Sequence, residues 1–173
     1  MIVRRLGPED AGNILRVVND SAEAYRGVIP KEAWKEPYMD LTELSRDIND
    51  GVSMWGAEEN GVICGVMGIQ EKGDVTLIRH AYVASGFRRT GIGGRLLAQL
   101  MAIAGNPVLV GTWASALWAA DFYEKHGFTL QSAERSAFLL SRYWEIPERQ
   151  ASASIVLADR RWMVSAAGTG LSG

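Results

Sequence analysis

A chain of 173 residues with 47% hydrophobic residues is long enough for one domain with its own core and too short for two. A formal net charge of −2 excludes a uniformly basic surface, so nucleic acid is not an expected partner. Cys64 is the single cysteine, which excludes an intramolecular disulfide and fits a reducing compartment, the cytoplasm.

The elements follow in chain order. Met1 to Leu6 lacks the apolar run of a signal peptide, and Ile2 to Leu6 reads as a short strand. Pro8-Glu9-Asp10 opens a helix expected to run to about Tyr25, with Ile14, Val17, Val18 and Ala22 near one face. A second, broken helical region begins at Ile29-Pro30; within it Asp40-Leu41-Thr42-Glu43 has the spacing of a capping box, and Gly51 ends it. Val52 to Glu58 and Val62 to Gln70 are expected strands joined by a hairpin at Asn60-Gly61. After the turn Lys72-Gly73-Asp74 comes a third long strand, Val75 to Val83, then a helix to about Gly105 whose buried face carries Ile92, Leu96, Leu97, Leu100 and Met101. Val108 to Thr112 is apolar enough for a strand buried on both faces. Ala116 to His126 reads as a helix, Phe128 to Gln131 as a strand, Arg135 to Trp144 as a helix and Ser154 to Leu157 as a last strand. The longest apolar stretch, Val108 to Ala120, is broken by Gly111, Thr112 and Ser115 and is too short to span a bilayer, so no membrane association is expected. A single domain over residues 1–167 with a frayed tail over residues 168–173 is the expected organisation.

The chemistry concentrates between Val83 and Leu97, where a strand ends, a turn carries Arg88 and Arg89, and Gly91, Gly93 and Gly94 lead into a helix. Unpaired N–H groups at a helix start, the positive end of the helix dipole and nearby arginines favour a phosphate or pyrophosphate. No Gly-Lys-Ser/Thr follows, and Gly91-Ile92-Gly93-Gly94 lacks the G-x-G-x-x-G spacing, so neither a P-loop nor a dinucleotide fingerprint is present. Arg88-x-x-Gly91-x-Gly93 resembles the Q/R-x-x-G-x-G/A loop of the GNAT superfamily of acyl-CoA-dependent N-acyltransferases. Downstream, Ala119-x-x-Phe122-Tyr123-x-x-x-Gly127-Phe128 is similar to that family's second signature, A-x-x-F-Y-x-x-x-G-F.

The resemblance implies an α/β fold of the mixed α+β kind: a mostly antiparallel central sheet of about seven strands with helices on both faces, splayed at an acyl-CoA site. It implies acetyl-CoA as co-substrate and no metal; it does not select the acceptor, for which a small-molecule amine is the expectation. Ala81, Tyr82 and Val83 would contact the acyl carbonyl and pantetheine, with Ala119 nearby, and the amides of Arg89, Thr90, Gly91, Ile92, Gly93 and Gly94 would hold the pyrophosphate, aided by Arg88. Tyr123 matches the family tyrosine that protonates the leaving thiolate, the competing reading being a core aromatic.

The strand before the loop has no carboxylate, which leaves His80 as the candidate base, against a buried structural histidine. Strand alternation sets His80 opposite Ala81 and Val83 and places Arg79 on their face, and a bulge, common in this strand of the family, would shift that register. Tyr25, Trp34, Trp55, Arg79 and Trp113 are the candidate acceptor residues, with ordinary core packing as the alternative for the aromatics. Two further classes stay open, a protein or peptide amine acetyltransferase and an idle acyl-CoA-binding sensor, and a homodimer is compatible with the sequence.

Overall fold

The computed structural model describes residues 1–168. Seven strands form one sheet: β1 (Ile2–Arg5), β2 (Ser53–Glu59), β3 (Val62–Lys72), β4 (Val75–Val83), β5 (Val108–Trp113), β6 (Thr129–Leu130) and β7 (Ser154–Ala158). Their spatial order is β1-β2-β3-β4-β5-β7-β6, and β4 with β5 is the parallel pair among antiparallel neighbours. Asn60 and Gly61 both take positive φ, 51° and 79°, the conformation a two-residue hairpin between β2 and β3 requires.

Helices cover both faces, because each presents one apolar stripe. On one side α3 (Ile92–Ile103) and α4 (Leu117–Lys125) bury Leu96, Leu97, Leu100 and Tyr123 against Met67, Ile78, Val108 and Val110. On the other, α1 (Ala11–Ala22) and α2 (Leu41–Asn49) bury Ile14, Val17, Val18 and Leu44 against Val52, Met54 and Val66. Further along that face α5 (Ala133–Tyr143) packs Leu139 and Leu140 on Leu77, Leu109 and Val156. Each such aliphatic side chain stabilises the fold by about 1.5–3 kcal/mol. Among the described residues no helix is long and apolar enough to cross a membrane.

Several boundaries differ from the sequence expectation. The first helix is interrupted: Pro8–Asp10 and Glu23–Tyr25 are 3-10 turns on either side of α1. Only Lys31–Ala33 is helical in the region before α2, and the Glu36–Pro37 peptide there is cis. The capping box forms one of its two bonds: Asp40 accepts from the Glu43 amide, but the Glu43 carboxylate is drawn to Lys35 instead of back to Asp40. Two short helices went unread, α6 (Glu148–Ser152) and α7 (Arg160–Gly168), the latter started by Asp159 accepting from the Trp162 amide. Gly168 ends α7, and the rest of the expected frayed tail lies outside the described residues.

The feature that shapes the centre is a bulge in β4. Val66 faces Tyr82 and Gly68 faces Arg79, so His80 and Ala81 together oppose Met67, and His80 takes φ 50°. The register shift overturns the simple alternation: Ala81 and Val83 pack toward α3 and α4, whereas Arg79 and His80 reach residues on and beside α2. Opposite the bulge a Cβ on Gly68 would lie 2.9 Å from Val52 and 3.0 Å from the Arg79 carbonyl oxygen. Gly68→Ala is therefore expected to destabilise the protein by about 1–3 kcal/mol, as overpacking against backbone does. A urea midpoint equal to that of the parent would show that the bulge has room to spare.

Candidate functional site

β4 and β5 pair over only three positions, Thr76 with Val108, Leu77 with Leu109 and Ile78 with Val110. Beyond them the strands part, at the bulge, while each keeps its outer partner: Tyr82 and Val83 stay on β3, and Gly111 to Trp113 stay on β7. The inner edges of residues 79–83 and 111–113 thus leave backbone groups facing a gap, and two cavities open from it.

One cavity, of about 940 Å³, runs along Ala81, Tyr82 and Val83 to Arg88, Arg89, Gly91, Ile92, Gly93 and Gly94, with Trp118, Ala119, Phe122, Tyr123 and His126 as the opposite wall. At its far end the start of α3 aims unpaired N–H groups outward, and left-handed backbone at Arg89 (φ 61°) and Gly91 (φ 86°) curls the turn that delivers them. The turn is anchored to α1. Asp20 accepts from the Ser85 amide (2.6 Å) and hydroxyl (3.0 Å), and Arg88 donates to the Ser21 carbonyl (3.0 Å). Thr90 is the one member of the expected loop set outside the lining, since its hydroxyl bonds the Phe87 carbonyl at 2.5 Å. Gly93 is explained by packing: a Cβ there would sit 3.3 Å from the Phe122 ring of α4. His126, at the end of the expected helix, donates from Nδ1 to the Phe122 carbonyl (2.7 Å), and its Nε2 lies 3.0 Å from where a Gly94 Cβ would be.

The second cavity, of about 760 Å³, shares Tyr25, Ala81, Tyr82 and Tyr123 with the first and continues between α2, β5 and the segment from Trp144 to Ser154. Trp113 and Tyr38 form part of its wall, the indole donating to the Tyr38 hydroxyl at 3.0 Å. Tyr25 stacks on Trp118 at 5.8 Å and packs against Tyr38 at 5.7 Å. Trp34 and Trp55, both expected at the acceptor site, line neither cavity. Trp34 packs behind Tyr38 with the Arg26 guanidinium over its ring, and Trp55 sits on β2 against the α3 core because alternation turns it there.

Tyr123 occupies the junction. It is 4% exposed, and burial, with the nearby Tyr25, pushes its phenol above the ordinary value. Among the described residues nothing hydrogen-bonds its hydroxyl, although a buried tyrosine hydroxyl ordinarily finds a partner. His80 sits across the gap in the second cavity. Its Nε2–H donates to Asp47 Oδ2 at 2.7 Å, and this fixes the tautomer that leaves Nδ1 with the lone pair. Burial disfavours the Asp47 carboxylate, but the His80 hydrogen bond and the charges of His80, Arg79 and Arg46 outweigh it and hold the group below the usual carboxylate range. Asp47 was not singled out in the sequence because it comes from another element. The signal for it was its place three residues after Leu44, on the inward face of α2. Among the described residues no group of three or more His, Cys, Asp or Glu is placed to hold a metal.

Nothing lies within 4 Å of a Cβ built on Gly91, so the cost of a side chain there is conformational. Gly91→Ala is expected to destabilise the chain by about 1–2 kcal/mol, with part recovered in Gly91→Asn, which tolerates positive φ better. Equal urea midpoints for all three proteins would remove the left-handed turn as a constraint.

Residues 50–130 match the profile of the Acetyltransferase (GNAT) domain. No curated protein matches the chain. Among solved structures, the PaiA N-acetyltransferase of Thermoplasma acidophilum, in complex with coenzyme A, superposes with a TM-score of 0.67 at 18% identity, covering 91% of this chain and 97% of that one. Ribosomal-protein-alanine N-acetyltransferase from Brucella melitensis gives 0.65 at 19%, with 92% and 99% covered. A GNAT family acetyltransferase from Elizabethkingia anophelis with acetyl-CoA bound gives 0.54 at 23%, with 69% and 82% covered. The matched segment spans the bulged strand, the glycine turn and the tyrosine helix, and the seven-stranded sheet with helices on both faces is the GNAT fold.

Proposed function

We propose that the protein transfers an acetyl group from acetyl-CoA to the primary amine of a small molecule, by direct attack with both substrates bound. The observation that carries this reading is the junction of the two cavities at Ala81, Tyr82 and Tyr123, beside a histidine held by a carboxylate. One cavity ends in helix-start amides and two arginines suited to a diphosphate, and the exposed inner edge of β4 suits the amide-bearing pantetheine arm, which would pair with it as an added strand. The other cavity, walled by Trp113 and Tyr38, takes the acceptor. The aromatic enclosure favours a small amine over a protein segment, and the paired His80 and Asp47 favour catalysis over passive sensing.

In this reading acetyl-CoA supplies an activated thioester. The Ala81 amide, on the unpaired edge, stabilises the charge that develops on the carbonyl oxygen. His80 Nδ1 takes a proton from the amine nitrogen as the new C–N bond forms, with Asp47 stabilising the imidazolium. Tyr123 gives its proton to the sulfur as the C–S bond breaks, leaving coenzyme A as the thiol. A raised phenol stays protonated throughout the neutral range, so Tyr123 enters the reaction as a donor and not as a base. The cytoplasm is the compartment proposed, and no metal is required.

Tyr123→Phe is expected to lower kcat by about 10²-fold or more while the affinity for coenzyme A moves by less than about threefold. An unchanged rate of thiol release would take Tyr123 out of the acid role. His80→Gln is expected to lower kcat by about 10²-fold with little change in coenzyme A affinity. Asp47, held below the ordinary carboxylate range, stays ionised through neutral pH. With the tyrosine raised, no descending limb from Tyr123 is expected below about pH 10. A His80→Gln variant as fast as the parent would assign proton removal to water.

A further inference from the structure

The acceptor cavity contains a cation whose one nearby carboxylate is shared with a second partner. The Arg79 side chain is only 18% exposed, and it donates from Nη1 to Gln70 Oε1 at 2.8 Å, a neutral amide. Gln70 is itself buried and locked, its Nε2 donating to the Asp50 carbonyl at 2.9 Å, so its oxygen is aimed at the guanidinium. Asp47 Oδ2 makes a loose ion pair with Nη2 at 3.8 Å, beyond hydrogen-bond reach, and divides its charge between Arg79 and His80, whose Nε2 lies at 2.7 Å. Elsewhere in the lining Lys35 pairs with Glu43, and Glu32 and Arg149 add one charge of each sign. A guanidinium withdrawn from water is costly unless an anion meets it, and its planar fork matches a carboxylate.

We propose that the acceptor is a primary amine that also carries a carboxylate, an amino acid with an apolar or aromatic side chain, whose carboxylate is bound by Arg79. The inference rests on the transferase reading above and narrows its acceptor. Arg79 and His80 are consecutive, and the bulge turns both toward α2, so the anion site and the proton acceptor lie side by side. That adjacency suits an amine and a carboxylate joined by a short spacer. The remainder of the acceptor lies against Trp113, Tyr38 and Trp144, which line the same cavity.

The test is thiol release from acetyl-CoA with a panel of amino acids, each matched to the amine left when its carboxyl group is removed, such as phenylalanine with phenethylamine and leucine with 3-methylbutylamine. The α-amine of the acid is the less basic of each pair by up to about one pK unit, so kcat/KM is compared per unprotonated amine and the carboxylate is then the variable. At least a tenfold higher kcat/KM for the acid of a pair is expected, carried by KM, with the acid-to-amine ratio collapsing toward one in Arg79→Gln and partly restored in Arg79→Lys. Equal or better use of the decarboxylated amines by the parent would overturn the carboxylate assignment and leave the transferase reading standing. So would an Arg79→Gln variant that lowers both members of each pair alike, since that is the signature of a structural role. No thiol release from any amine, with coenzyme A binding shown by calorimetry, would overturn both.

Discussion

The extra residue in β4 is the constraint from which the site follows. β3 is eleven residues long and pairs on both sides, with a register shift against β2 and another against β4. The shift in β4 falls at His80 and Ala81, and there the pairing with β5 ends. A bulge bends its strand and adds twist, which carries the end of β4 away from β5 and opens the gap. The same irregularity changes which way side chains point, putting Arg79 and His80 among the polar groups near α2 and leaving Ala81 and Val83 on the α3 side. One backbone event thus exposes hydrogen-bonding edges and brings two polar side chains into one cavity. Gly68 is what permits it, because the Arg79 carbonyl occupies the space a side chain would need.

The glycine-rich turn before α3 depends on a second, more distant support. A glycine-rich loop has many conformations to lose, and ordering it costs entropy wherever nothing holds it. Here the end of α1 holds it, through Asp20 on the Ser85 amide and hydroxyl and through Ser21 on Arg88. The Asp20 carboxylate is committed to neutral donors, so its charge is spent on positioning and the arginines of the turn keep theirs for the ligand. On the other side Gly93 and Gly94 let α3 approach Phe122 and His126 of the α4 end closely. The turn is therefore clamped between the first and fourth helices before any ligand arrives.

How much of this was legible in the sequence depends on how local the cause is. Asn60-Gly61, the alternating run of Val75 to Val83 and the stripe Leu96, Leu97 and Leu100 each specify their element from within, and the strands and helices that they announce are present. The glycine turn and the Phe122-Tyr123 signature were legible for the same reason, and both lie in the segment that matches the GNAT domain. Arg79 was misplaced because alternation holds only until a bulge, and a bulge is decided by the mismatch with β3, not by β4 alone. Trp55 and Trp34 illustrate a similar limit, since an aromatic residue announces burial but not which cavity or core it joins. Asp47 and Asp20 were invisible as partners because their significance exists only across tertiary contacts, with His80 and Ser85. The helix Arg160–Gly168 lacks a strong stripe, having one buried residue, Ala166, and its start depends on the Asp159 cap.

The aromatic wall gives these polar groups their effect. Tyr25, Tyr38, Tyr82 and Tyr123 all carry phenols pushed upward by burial, so the walls present neutral donors and apolar rings instead of charge. In such surroundings water is scarce and the local dielectric low, so a hydrogen bond or a lone charge counts for more than at the surface. The His80–Asp47 pair gains from this, since an imidazolium formed beside a desolvated carboxylate is stabilised more strongly than one in water. The same surroundings make the Arg79 charge expensive while it meets only an amide and a carboxylate shared with His80, and in the proposed reading that expense becomes selectivity once a substrate anion is present. A substrate that satisfies Arg79 and places its amine at His80 meets both demands at once, whereas a bare amine meets only one. The discrimination follows from the walls as much as from the arginine, because the same guanidinium on an open surface would be satisfied by water.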